Sequence, residues 1–407
     1  MRPRSKSRVD FECNGAEIPT ILFLAAGPQT VSAPSPAGVD PGMLRRRLEQ
    51  IERLLIIRLR SLGDSILALP LMEALHAWRP ELQIDVLVEA PYAGVFCRNP
   101  SVHETLSVRP RSWPEKSGWS RARACIEIRK RRYPAVINLH GGSTSLLFTA
   151  ISGAPTRIGQ QKYRHAWLYT ALMPPPRSVW QRSDLHTAED QLTLFPWLGL
   201  PAPERPRGRL VVDEGARRRI RERLASAGIP GGGHILMQPT ATLRTKQWPE
   251  QSFAALADRL AEKYSLPLIL TSAPREAQVL LDVGRHAKHS HFYWSDLGLD
   301  ELFALIESCR LFVGNDSGPT HAAAALGKPL VVVWGSSDFR VWRPWEAAYE
   351  AVRLNLPCMP CPGYRCEVYG TPRCILEIGV DEVLAACERN LQSDAPNART
   401  GVSFTRR

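Results

Sequence analysis

Four side chains in this sequence stand in or beside polar turns that follow short apolar runs, where an α/β protein offers groups to a ligand: Asp64, Lys246, Glu276 and Asp316. Asp64 follows Gly63 after the apolar run at residues 54–59. A carboxylate in that place can take the proton from an attacking hydroxyl as a general base. It can also simply cap the helix expected from Ser65, a common task for Asp. Lys246 belongs to the polar loop 238–250, in which Thr240 and Thr242 offer hydroxyls to a pyrophosphate. The lysine there is a mobile cation able to offset charge on a departing group; a loop lysine is otherwise solvated. Glu276 opens a helix, a favourable place for an acid beside the positive end of the helix dipole.

Asp316 sits within residues 311–335, LFVGNDSGPTHAAAALGKPLVVVWG. A short strand at 311–313 is stopped by Gly314, and residues 315–319 supply turn and cap chemistry. An alanine-rich helix at 320–326 then ends at Gly327, before a second buried strand at 330–334. Ser317 is a good N-cap, Pro319 suits the first helical turn, and the free N–H groups there can hold phosphate oxygens. Asp316, at the C-terminal end of a strand, lies where open α/β sheets bind ligands and could accept hydrogen bonds from sugar hydroxyls. The same residues also make an ordinary strand-to-helix turn with an Asx cap.

The run DSGPTHAAAALGKP resembles the sugar-nucleotide motif of the lipopolysaccharide heptosyltransferases, glycosyltransferase family 9. Far upstream, LLIIRLRSLGDSILALPLMEAL at 54–75 resembles the opening strand, glycine turn and first helix of that family. Lys246-x-Trp248-Pro249-Glu250 is similar to its donor-binding loop. The resemblance implies an α/β protein of GT-B type, with two facing Rossmann-like domains, parallel sheets and an interdomain cleft. It implies an inverting glycosyltransferase that moves a heptose from ADP-heptose to a lipopolysaccharide inner-core acceptor. Asp64 would then activate the acceptor hydroxyl, and Lys246 would stabilise the leaving diphosphate together with the turn at 316–321. Within that turn Asp316 faces the donor, Ser317 matches the motif, and Gly318, Thr320 and His321 lie near phosphate. Thr240 and Thr242 belong to the same donor site, and Glu276 would bond the ribose. No Asp-x-Asp metal–nucleotide motif occurs, so metal-independent transfer with no cofactor is expected. The alternatives are a transferase for another nucleotide sugar and a non-catalytic sugar-nucleotide-binding protein. A dinucleotide oxidoreductase conflicts with the first turn, Ser61-Leu62-Gly63-Asp64, which lacks G-x-G-x-x-G.

The elements that must position these groups alternate between strand and helix, as in a doubly wound sheet. Helices are expected at 65–78, 186–198 and 275–289, and a strand at 135–139 leads into His140-Gly141-Gly142. Proline and arginine without periodicity near residue 205 mark a boundary. The expected units are an acceptor-binding domain at 43–205 and a nucleotide-sugar-binding domain at 206–392. Gly63 and His140 are acceptor-side candidates. So are Arg129 and Arg132 in the basic helix 121–132, which reads either as a solvated helix end or as a dock for an anionic acceptor or membrane surface. Residues 1–42 are expected to be a disordered extension, since Asp10, Glu12 and Glu17 are atypical of a secretory leader. Residues 393–407 read as a flexible basic tail.

A formal charge of +12 over 407 residues argues for an anionic partner. The basic residues are not interleaved with aromatics for base stacking, which argues against nucleic acid. No apolar run approaches the ~18 residues that span a bilayer. The expectation is a cytoplasmic enzyme, peripheral on the inner membrane, with an ADP-sugar donor and an anionic lipid-linked saccharide acceptor. Of nine cysteines, Cys358, Cys361, Cys366 and Cys374 cluster as C-x2-C-x4-C-x7-C. The first spacing is ligand-like and the others match no standard zinc module, so zinc, an iron–sulfur cluster, disulfides and free thiols all stay open.

Overall fold

The computed structural model describes residues 39–110, 112, 117–361, 363–392 and 401–404. The expected extension before residue 39 and the rest of the expected tail lie outside the described residues. The first half contributes β1 (Arg53–Ile57), β2 (Gln83–Glu89), β3 (Glu104–Val108), β4 (Ala135–Asn138), β5 (Thr156–Gln160) and β6 (Ala171–Met173). The second contributes β7 (Ile235–Gln238), β8 (Leu268–Thr271), β9 (Phe292–Trp294), β10 (Leu311–Asn315), β11 (Leu330–Trp334), β12 (Tyr349–Arg353) and β13 (Gly401–Phe404). Parallel strands are covered on both faces and so carry continuous apolar runs. Leu54 to Ile57, Val86 to Val88 and Val331 to Trp334 are all buried for that reason.

The sheet orders are β3-β2-β1-β4-β5-β6 and β13-β12-β11-β10-β7-β8-β9, with every pairing parallel. Both sheets therefore reverse direction beside their own first strand, at β1/β4 and at β7/β10. A doubly wound sheet opens its ligand crevice at that reversal, at the carboxyl ends of the strands. One apolar cluster runs through both halves, from Leu54 and Ile84 to Leu236, Phe312 and Val332. Among the described residues, no helix is long and apolar enough to cross a membrane.

The structure corrects several expected elements. The helix expected at 65–78 is two helices, Leu62–Ile66 and Leu69–Trp78. Pro70 has no N–H to bond the carbonyl of Ile66, so the ladder breaks there. Pro196 similarly divides the helix expected at 186–198 into Thr187–Leu192 and Leu194–Trp197. The helix expected at 275–289 is a 3₁₀ turn, Pro274–Glu276, followed by Ala277–His286. Within the expected tail, β13 pairs with β12.

The two halves are tied behind the cleft by His186. Its Nδ1 accepts from Ala188 N at 3.0 Å, so the proton lies on Nε2, which donates to Arg343 O at 2.7 Å. The ring stacks on Trp345 at 4.8 Å, and Trp345 Nε1 donates to Pro206 O at 2.7 Å. Burial pushes the His186 imidazole from 6.5 down to about 3. The unfolded chain binds this proton below about 6.5 and the folded chain only near 3, so the neutral form stabilises the fold fully above 6.5. That stabilisation is lost as pH falls through the window. His186 alone should remove about 2 kcal/mol between pH 6.5 and pH 5. His234, pushed by burial down to about 4, acts in the same direction. The comparison of melting temperature against pH in wild type and His186→Gln isolates the His186 share, and the variant should show the shallower slope.

Candidate active site

On the first half, the site begins where β1 ends. Ser61 caps the helix Leu62–Ile66, and Asp64 occupies its third position, where its Oδ2 accepts from Ser61 N at 3.2 Å and Ser61 Oγ at 3.0 Å. Asp64 is thus inside the helix's first turn rather than before it. Its other oxygen accepts from the guanidinium of Arg58, which is buried and also donates to Leu139 O. Arg58 was not legible as a site residue, although a cation closing a buried apolar strand is a signal in itself. His140 follows β4, and its N–H donates to Asn138 Oδ1 at 2.9 Å. Partial burial, then the charges of Arg58 and Arg60, hold its imidazole below the usual range, so it is neutral at pH 7. Gly141 has φ +70° and lies against the Tyr163 ring, which any β-carbon there would meet at 2.4 Å. Glu89, buried at the end of β2, is raised by burial against the opposing charges of Arg60 and Arg121.

On the second half, Asp316 follows β10 and is buried. Its Oδ2 accepts from Lys246 Nζ at 2.7 Å and from the Ser337 hydroxyl. Ser317 caps the helix Gly318–Ala325, as its sequence predicts, but its hydroxyl donates to Gln238 Oε1 at 3.1 Å rather than to the helix. The Gln238 amide donates to Thr240, and Thr240 Oγ1 donates to Glu276 Oε2 at 2.9 Å. Thr240 and Glu276 are therefore joined, while Thr242 is exposed beside them. Thr320 Oγ1 donates to Asn315 O at 2.5 Å, so its hydroxyl is already committed to the backbone. Asn315 fixes the Lys246 loop to the turn by accepting from Trp248 N at 3.1 Å and donating to Pro239 O at 2.9 Å.

The two groups of residues meet directly. A β-carbon on Gly63 would lie 2.8 Å from His321 Cδ2, and one on Gly318 would lie 2.8 Å from Leu62 Cβ. Only glycine at both positions lets the helices start this close to each other. His321 is buried, and its Nδ1 has no hydrogen-bond partner among the described residues. Burial lowers its pKa against the opposing carboxylates of Asp316 and Asp64, with Lys246 adding to the lowering. A neutral imidazole thus stands between the Asp64 side and the Lys246–Asp316 pair.

Arg129 and Arg132 are not brought to this cleft. The helix Ser117–Arg131 joins β3 to β4 and so runs against the strands, which puts its C-terminal end at the opposite edge of the sheet. Arg131 marks that edge through its bonds to Glu104 at the start of β3. The other end of the helix does face the site: Arg121 lies 3.9 Å from Glu89 and 3.4 Å from Thr144 Oγ1. All four clustered cysteines line one cavity of about 400 Å³.

Two Rossmann-like domains with parallel sheets, a shared cleft and a phosphate-suited turn at the second switch point define the GT-B architecture. Residues 121–370 match glycosyltransferase family 9 (heptosyltransferase), and the chain belongs to that family. Lipopolysaccharide heptosyltransferase 3 of Escherichia coli is 25% identical over 350 residues, covering 83% of this chain and 97% of that protein. Lipopolysaccharide heptosyltransferase 1 of Pseudomonas aeruginosa is 27% identical over 324 residues, covering 76% and 86%. Among solved structures, the ADP-heptose LPS heptosyltransferase II of Escherichia coli superposes with a TM-score of 0.68 at 22% identity, covering 83% of this chain and 98% of that one. The matched family span contains Lys246, Glu276 and the 316–321 turn, and Asp64 precedes it.

Proposed function

We propose that this glycosyltransferase moves a heptose from ADP-heptose to an anionic, lipid-linked lipopolysaccharide inner-core acceptor, with inversion and without a catalytic metal. The observation that carries the reading is the meeting of Asp64 with His321, Asp316 and Lys246 at the contact of the two helix starts. The acceptor hydroxyl gives its proton to the Asp64 carboxylate, and its oxygen bonds the anomeric carbon as the bond to the diphosphate breaks on the opposite face. The departing electrons go to the nucleotide diphosphate. Lys246 and the free N–H groups of the helix Gly318–Ala325 offset that charge, a task these groups perform without a divalent ion. Thr240 and Glu276 stand ready for the donor's hydroxyl groups.

Arg60 and Arg121 supply positive charge on the acceptor side, where an anionic saccharide would lie. Trp119 is 82% exposed on the same helix as Arg123, with Ile126 and Leu147 also exposed nearby. An apolar and basic face of this kind suits peripheral contact with an anionic inner-membrane surface. The acceptor reading places the reaction on the cytoplasmic face.

Calorimetry of ADP, GDP, UDP and NAD on the purified protein tests the donor. Selective binding of ADP supports the reading, whereas preference for UDP or GDP removes the heptose donor and keeps the transferase. Binding of NAD in place of ADP overturns the reading.

A further inference from the structure

The segment from Leu354 to Pro372 runs between β12 and the short helix Arg373–Leu376 without a helix or strand of its own among the described residues. Uninterrupted stretches beyond ~12–15 residues are uncommon unless they serve a function. This one has little core to hold it: Tyr364 and Val368 are 81% and 63% exposed. A small unit of that kind needs a cross-link in place of a core. Its four cysteines supply the groups for one. Cys358, Cys361, Cys366 and Cys374 line the same cavity of about 400 Å³, with Arg365 on its wall to offset thiolate charge. Cys374 is buried, and the other three cysteines reach the same cavity from the loop.

The loop also holds the donor site from behind. Cys361 N donates to Ser336 O at 3.0 Å, Ser336 Oγ donates to Thr245 Oγ1 at 2.9 Å, and Thr245 Oγ1 donates to Gly363 O. Thr245 precedes Lys246 and Ser336 precedes Ser337, and Lys246 and Ser337 are the two residues that bond Asp316.

We propose that Cys358, Cys361, Cys366 and Cys374 bind one d-block divalent ion of the zinc or iron class, and that this ion braces the backbone behind Lys246 and Asp316. The brace rests on the donor-site reading above; the ion does not. The C-x2-C pair starts the ligand set, and binding releases the thiol protons to solvent. No three of the four sulfurs lie within 4.8 Å of one another, so the ion draws them together by rotation about Cα–Cβ, which moves a sulfur by about 3 Å. Asp85, His103 and Glu104 do meet that spacing. Arg53 and Arg131 already engage both of those carboxylates, at 2.7 and 2.5 Å, so a cation there would meet two guanidinium groups.

The test is elemental analysis of the full-length protein purified without chelator. One equivalent of zinc or iron is expected in wild type and in Cys97→Ser. It should be lost in Cys358→Ser and in Cys374→Ser, with far-ultraviolet dichroism confirming that each variant folds. Cobalt added to metal-stripped wild type should give the visible bands of tetrahedral thiolate ligation. Which element copurifies, and which one restores the stripped protein, separates zinc from iron. Absence of metal and of cobalt bands, or four thiols lost to two disulfides, overturns the site. For the brace, stripping the ion should weaken ADP binding about tenfold; unchanged ADP affinity in the stripped protein overturns the brace. Failure of the metal-loaded protein to bind ADP counts against the donor reading and leaves the metal result standing.

Discussion

Asp64→Asn should bind ADP as wild type does and turn over about 10²–10⁴-fold more slowly, the range expected when a general base is removed. The amide oxygen can still accept from Ser61, whose N–H and hydroxyl lie 3.2 and 3.0 Å from Asp64 Oδ2, so the helix start is retained. It cannot take a proton from the acceptor. Arg58 loses its counterion in the variant, and a buried cation left unpaired is itself destabilising. Melting temperature must therefore be recorded beside the kinetics. The expected pattern is an unchanged donor KM, an unchanged ADP dissociation constant and a fallen kcat, measured by ADP release with a defined acceptor. A kcat within about tenfold of wild type would remove Asp64 from the chemistry.

Lys246→Ala should lower kcat by about 10²–10³-fold, as losing one preorganised charge at the leaving group does, and should also weaken ADP binding. The side chain has two tasks, because Nζ also pairs with buried Asp316 at 2.7 Å. Removing it leaves Asp316 with the Ser337 hydroxyl as its remaining side-chain partner among the described residues, which destabilises the turn as well as the transition state. The double variant Lys246→Ala/Asp316→Ala separates the two. Stability should recover relative to the single variant while turnover stays low. Recovery of both would show that Lys246 serves the fold of the turn and not the departing diphosphate.

Much of the 316–321 turn was legible in the sequence, because its signals are local. Ser317 as N-cap, Pro319 in the first turn and Gly327 past the end fix the helix within a few residues. Asp64 was legible as a candidate group, but its place in the helix was not, since Pro70 relocates the break and the first turn forms upstream of it. Arg58, Gln238 and Ser337 were missed for a different reason. Their roles come from partners that the fold brings in, such as Ser317 for Gln238 and Asp316 for Ser337. Short strands such as β6 and β9 carry too few residues for a period to show. Arg129 and Arg132 illustrate a topological rule that composition does not contain: a helix linking parallel strands ends at the edge away from the ligand.

The repeated strand order gives the candidate site residues a pseudo-symmetry. Asp64 follows the first strand of its sheet, and the loop of Lys246 follows the first strand of the other. His140 and Asp316 follow the partner strands across each reversal. On the proposed mechanism, activation of the incoming group and departure of the leaving group fall at equivalent positions in separate halves. If the proposed roles hold, the acceptor side is free to diverge to suit a different saccharide while the nucleotide-releasing half stays as it is. The close approach of Gly63 to His321 and of Gly318 to Leu62 constrains both halves at once, as the His186 tie does.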